Sequence, residues 1–141
     1  MKERRGVDMK CVLLFMLLFV SACSYTEDYQ FVSTDNLGAS KISILEKYGS
    51  PVNSITIEDP IHIAAENVDE ILEFSGLEFF LLGGRVQSIK ISKPKYAFKD
   101  ILMIGAELET RISIQIGTSD CYLSAIPEKG MVSELWAFCS D

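Results

Sequence analysis

The chain is 141 residues long and sets thirteen Lys and Arg against twenty Asp and Glu, a formal charge of −7, with one histidine. So acidic a protein repels nucleic acid and anionic lipid head groups, which argues against both as partners. The length suits one compact domain, and a lone histidine among scattered carboxylates offers no metal-ligand spacing.

Met1 to Lys10 carries Lys2, Arg4, Arg5 and Lys10 against Glu3 and Asp8, and Cys11 to Val20 is a run of ten apolar residues. As a helix that run spans about half of a ~30 Å hydrocarbon core. It is too short to cross a membrane and suits the apolar region of a secretory signal. Val20-Ser21-Ala22-Cys23 follows directly. This run resembles the lipobox of bacterial lipoproteins. The resemblance implies diacylglycerol on the Cys23 sulfur, cleavage before it and acylation of the new amino terminus. Two or three acyl chains hold firmly where one does not. Ser24 stands where an Asp would resemble an inner-membrane retention signal. The expected site is therefore the periplasmic face of the outer membrane in a host with two membranes, and otherwise the cell surface. Loss of residues 1–22 removes four basic and two acidic residues, leaving 119 residues and a formal charge of −9.

Residues 23–34 read as a polar tether and 35–141 as the domain. Ile42, Leu45 and Tyr48 recur at helical spacing, Ser40 stands at an N-cap position, and Gly49 with Pro51 is a stop signal, so a short helix is expected. Val52 to Glu58 alternates as a strand that Asp59-Pro60 would end. Residues 61–74 fit either a helical face or a strand, and a strand is expected from about Glu70. Leu77 to Leu82 and Arg85 to Ile91 flank Gly83-Gly84, a strong hairpin signal.

Ile104-Gly105-Ala106 then echoes Leu37-Gly38-Ala39. Glu107 to Ile116 reads as a second short helix, although Ile112 to Ile116 also alternates as a strand. Two strands follow, Asp120 to Ile126 and Met131 to Phe138, around the turn Pro127 to Gly130. Leu37, Gly38, Tyr48, Gly49, Pro51, Ile104, Gly105 and Gly117 together resemble the half-repeats of the β-lactamase-inhibitor-like superfamily, which includes outer-membrane lipoproteins of the SmpA/OmlA type. The resemblance implies an α+β fold, with short helices on one face of an antiparallel sheet and two imperfect helix-strand half-repeats. It implies a protein-binding sheet face and brings no catalytic residues.

With Cys11 discarded and Cys23 lipidated, Cys121 and Cys139 remain, and an even pair in an exported chain points to a disulfide. His62 has neither a nucleophile nor an orienting carboxylate at a suggestive spacing. Glu66, Asp69, Glu70 and Glu73 read as a solvated face, and Lys90, Lys93, Lys95 and Lys99 as a basic loop. Phe79 and Phe80 point to opposite sides of a strand, so one of them is a candidate protein contact, together with Tyr96 and Phe98. Trp136 reads as core. The sequence thus suggests a non-enzymatic, lipid-anchored envelope module without a cofactor, binding another envelope protein. The alternative is an inhibitor or immunity protein against a secreted enzyme or toxin.

Overall fold

The computed structural model describes residues 29–63 and 66–140. The signal segment, the lipobox with Cys23 and the start of the tether lie outside the described residues. Within them, ordered contact begins before residue 35. Gln30–Phe31 forms strand β1, paired in parallel with β6 (Tyr96–Ala97), and Val32 is buried in the core.

The expected helix forms as α1 (Lys41–Tyr48). The Ser40 hydroxyl accepts the Ser43 N–H at 3.2 Å, satisfying one of the orphan donors of the first turn. Ile44 anchors the helix in the core, with Leu45 and Tyr48 packed beside it.

The α+β arrangement is overturned. Among the described residues there is one α-helix, and the remainder is dominated by a seven-stranded antiparallel sheet. Its strands are β2 (Asn53–Ile63), β3 (Glu66–Phe74), β4 (Leu77–Leu82), β5 (Arg85–Ile91), β7 (Ile112–Gln115), β8 (Cys121–Glu128) and β9 (Met131–Cys139). They lie side by side in the order β2-β3-β4-β5-β9-β8-β7. The helix expected over Glu107 to Ile116 does not form. Residues 98–111 are turns and irregular backbone, and Ile112 begins β7. Alternation of Ile112, Ile114 and Ile116 puts three β-branched side chains on one side of a strand, and β8 supplies the ladder that a short isolated helix would lack. β2 also runs on through Asp59 and Pro60. The proline is tolerated because β2 is an edge strand, with a register shift between Thr56 and Ile61. β3 starts at Glu66, ahead of the expected Glu70.

Among the described residues helix-strand half-repeats are therefore absent, but a smaller unit recurs. In both the β4–β5 and β8–β9 hairpins the ladder matches pair for pair. Leu77↔Ile91 corresponds to Leu123↔Ala137, Glu78↔Lys90 to Ser124↔Trp136, Phe80↔Ser88 to Ile126↔Glu134, and Leu81↔Val86 to Pro127↔Val132. Each hairpin carries the same bulge, at Gln87 and at Ser133. Each second strand also receives the same backbone clip. Gly38 N–H donates to Val86 O and Val86 N–H to Ala39 O, while Gly105 N–H donates to Val132 O and Val132 N–H to Ala106 O. β3 corresponds in turn to β7, since Glu73↔Glu78 matches Ser113↔Ser124 and Phe74↔Leu77 matches Ile114↔Leu123. The halves meet at β5 and β9 about a pseudo-twofold through the pair Lys90↔Trp136. Among the described residues the second half lacks counterparts of α1 and β2.

One side of the sheet carries the core. Leu72, Phe79, Ile89, Ala137 and Leu123 stand side by side across five strands and are buried. Covering them are α1 through Ile44, Val32 and Phe98, and the irregular segment through Ile101, Ile104 and Leu108. At about 25 cal/mol per Å² of apolar surface removed from water, this layer is the main stabilising term.

Candidate protein-contact face

The opposite side of the sheet has a different character. Alternation places Ile55, Ile71, Phe80, Ser88, Phe138, Tyr122 and Gln115 in one register row across all seven strands. The next row is Asn53, Glu73, Glu78, Lys90, Trp136, Ser124 and Ser113. The described covering segments pack on the other side, so these aromatic side chains are held by one another. Trp136 stacks on Phe80 with ring centroids 5.3 Å apart and planes at 23°, and Tyr122 leans on Phe138 at 6.1 Å. Offset aromatic pairs of this kind contribute about 0.5–1.5 kcal/mol beyond the area they bury. The stack leaves Phe80 only 4% exposed, while Trp136, Phe138 and Tyr122 remain half-buried. The buried Ser88 Oγ, between Phe80 and Phe138 in the row, has no hydrogen-bond partner among the described residues.

Charge borders the aromatic row. The Trp136 indole N–H donates to Glu134 Oε1 at 2.9 Å. Lys90 Nζ sits 5.7 Å over the Trp136 ring and 3.8 Å from both Glu78 Oε2 and Glu134 Oε2. Burial pushes the Glu78 carboxyl above its ordinary range, partly countered by Lys90 and reinforced by Glu73 and Glu134. Glu73 and Glu78 face each other directly across the ladder, an unfavourable like-charge pair that Lys90 relieves from one side only.

The four contact candidates named from sequence do not come together here. Phe79 is fully buried on the core side, packed against Tyr48 at 5.1 Å and Phe74 at 5.9 Å. Phe98 is buried as well. Tyr96 is half-buried beside β1, with Lys95 Nζ over its ring. Phe80 does lie on the open face, but beneath Trp136. The residues that sequence reasoning missed are Trp136, Phe138, Tyr122 and Ile71. Their signal was the two-residue spacing of Trp136 and Phe138, which places both on one side of a strand.

Cys121 and Cys139 stand directly opposite each other in the β8–β9 ladder and are disulfide-bonded. His62 lies exposed on β2, opposite Asn67. The carboxylates of β3 divide between the two sides of the sheet. Glu70 pairs with Lys41 of α1, whereas Glu73 faces outward and Asp69 accepts the Gly83 N–H. The lysines disperse too. Lys93 donates to Ser75 Oγ, Lys99 lies over Phe31 and Lys90 over Trp136. No three metal-capable side chains gather among the described residues.

No protein-family model and no curated protein matches the chain. Among solved structures it is similar to an extracellular protein containing an SCP domain from Bacillus anthracis strain Ames. The identity is 9% and the TM-score 0.45, over 87% of this chain and 50% of that one. The chain thus spans half the length of that neighbour.

Proposed function

We propose that the protein is a non-enzymatic lipoprotein of the bacterial envelope, anchored through Cys23, that binds another protein through the open face of its sheet. The observation that carries this reading is the patch of Ile71, Phe138 and Tyr122 in one row and Trp136 in the next, on the side away from the covering segments. Aromatic residues that keep an accessible surface on a rigid sheet are the composition of interface anchors. The basic start, short apolar run and Val20-Ser21-Ala22-Cys23 support placement on the periplasmic face of an outer membrane, or on the surface of a host with one membrane.

Photo-crosslinking in intact cells tests the face. A photoreactive residue at Tyr122 or Phe138 is expected to capture the same envelope protein. One at Ile42, exposed on α1 across the sheet, is expected not to. Equal capture from both sides, or none from Tyr122 and Phe138, overturns the assignment. Anchoring is tested separately by Cys23→Ala, which should move the protein from the membrane fraction to the soluble one.

A further inference from the structure

The pseudo-twofold exposes an inequality at the ends of the sheet. In the first half, β3 is covered along its outer edge by β2, and the Val52 N–H donates to Glu73 O at 2.7 Å. The counterpart of β3 is β7, and the counterpart of Glu73 is Ser113. β7 has no strand on its outer edge among the described residues. Its hydrogen-bonding directions follow from the hairpin. The Ile116 N–H donates to Cys121 O, so by antiparallel alternation Ile112 and Ile114 also bond towards β8. The N–H and C=O groups of Ser113 and Gln115 therefore point outward, as those of Glu73 do towards β2.

Below this edge, on the core side, lies a cleft of about 440 Å³ between β7 and the Phe31–Thr34 segment. Phe31, 50% exposed, Ile114, 39% exposed, and Leu123 line it, with Lys99 at its rim. Open backbone groups beside an apolar cleft are what an added strand requires: main-chain bonds for affinity and a pocket for alternate side chains.

We infer that the β7 edge is a second interaction site, which takes an extended segment of a partner polypeptide antiparallel to β7 and places a large apolar side chain opposite Ile114 in the cleft. The segment would occupy the place that β2 occupies in the first half. A second copy of this chain is the poorer occupant. β7 offers four residues to any added strand, which can seat a free segment but leaves two folded copies meeting over far less than the roughly 1,200 Å² of a stable dimer interface. A longer partner segment also reaches the Phe31 side of the cleft. This site does not depend on the open face described above.

The test uses the full chain in neutral detergent with a capped peptide alternating Leu and Thr, an all-Thr peptide, and a Leu-Thr peptide N-methylated at alternate amides. Ser113→Pro removes an outward N–H without costing a backbone bond to β8, although it gives up the Ser113 Oγ–Ser124 Oγ hydrogen bond at 2.6 Å, and proline is accepted on edge strands. The Leu-Thr peptide is expected to slow amide exchange at Ser113 and Gln115. It should bind Ser113→Pro about tenfold more weakly, the size of one or two lost edge hydrogen bonds. The N-methylated and all-Thr peptides should bind no better than that. Unfolding followed by Trp136 emission reports whether the variant is folded. If it is not, Gln115→Pro and the N-methylated peptide carry the test. Equal binding to the proline variant, or no binding of the Leu-Thr peptide, overturns the inference. So does a dimer in sedimentation that Ser113→Pro dissociates, since a second copy then takes the edge.

Discussion

If the two clips are the same device, replacing their glycines should cost the same. Gly38 has φ 82° and Gly105 φ 91°, a region that L-residues enter at about 1–2 kcal/mol. A Cβ built at either position meets no atom within 4 Å, so Gly38→Ala and Gly105→Ala carry a backbone term and no steric one. Alanine also reduces the entropy of the unfolded chain, which returns about 0.4–1 kcal/mol. The net expectation is a loss of about 1 kcal/mol for each variant. Because the two clips brace separate hairpins, the double variant should lose about the sum. Urea unfolding followed by the emission of Trp136, the one tryptophan of the chain, measures all three. A loss confined to one glycine, or none at either, would refute the equivalence of the clips.

Serine at both Cys121 and Cys139 opens a loop with a sequence separation of 18, and the chain-entropy relation gives a loss of about 3 kcal/mol. Reductant should lower the urea midpoint of the native chain and leave the serine variant unchanged. A double-mutant cycle on Phe80 and Trp136 should return a coupling of about 0.5–1.5 kcal/mol, and a coupling of zero would dissolve the stack. Glu78→Gln probes linkage. Because the folded carboxyl holds its proton above the ordinary 4.5, the contribution is full below that value and is lost as pH rises through the folded pKa. The native chain should therefore lose stability relative to the glutamine variant across that window, and parallel pH profiles would contradict the burial of Glu78.

Local chemistry was legible from the chain alone. The Ser40 cap, the helix to Tyr48, the Gly83-Gly84 hairpin and the Cys121–Cys139 pairing rest on neighbours in sequence or on one short turn. The echo of Leu37-Gly38-Ala39 in Ile104-Gly105-Ala106 was visible as well, but it marked a backbone clip on a hairpin and not the start of a second helix. Where residues answer to distant partners, the pattern misled. Ile112 to Ile116 fits two periods, and only the presence of β8 selects the strand.

The residues proposed for contact were hidden for the same reason. Alternation says that Phe79 and Phe80 part company, but not which of them meets water, because that depends on where α1 and residues 98–111 fold back. They fold onto the side of Phe79. Trp136 is then left to cover Phe80 on the open face, and among the described residues β7 is left without the neighbour that β2 gives to β3. The sequence determined turns, caps, the cysteine pair and the lipobox resemblance at Cys23, since each is written in adjacent residues. Which side of the sheet stays open, and which edge lacks a strand, was decided by long-range packing, because a strand carries both of its faces in sequence and only the rest of the chain can cover one.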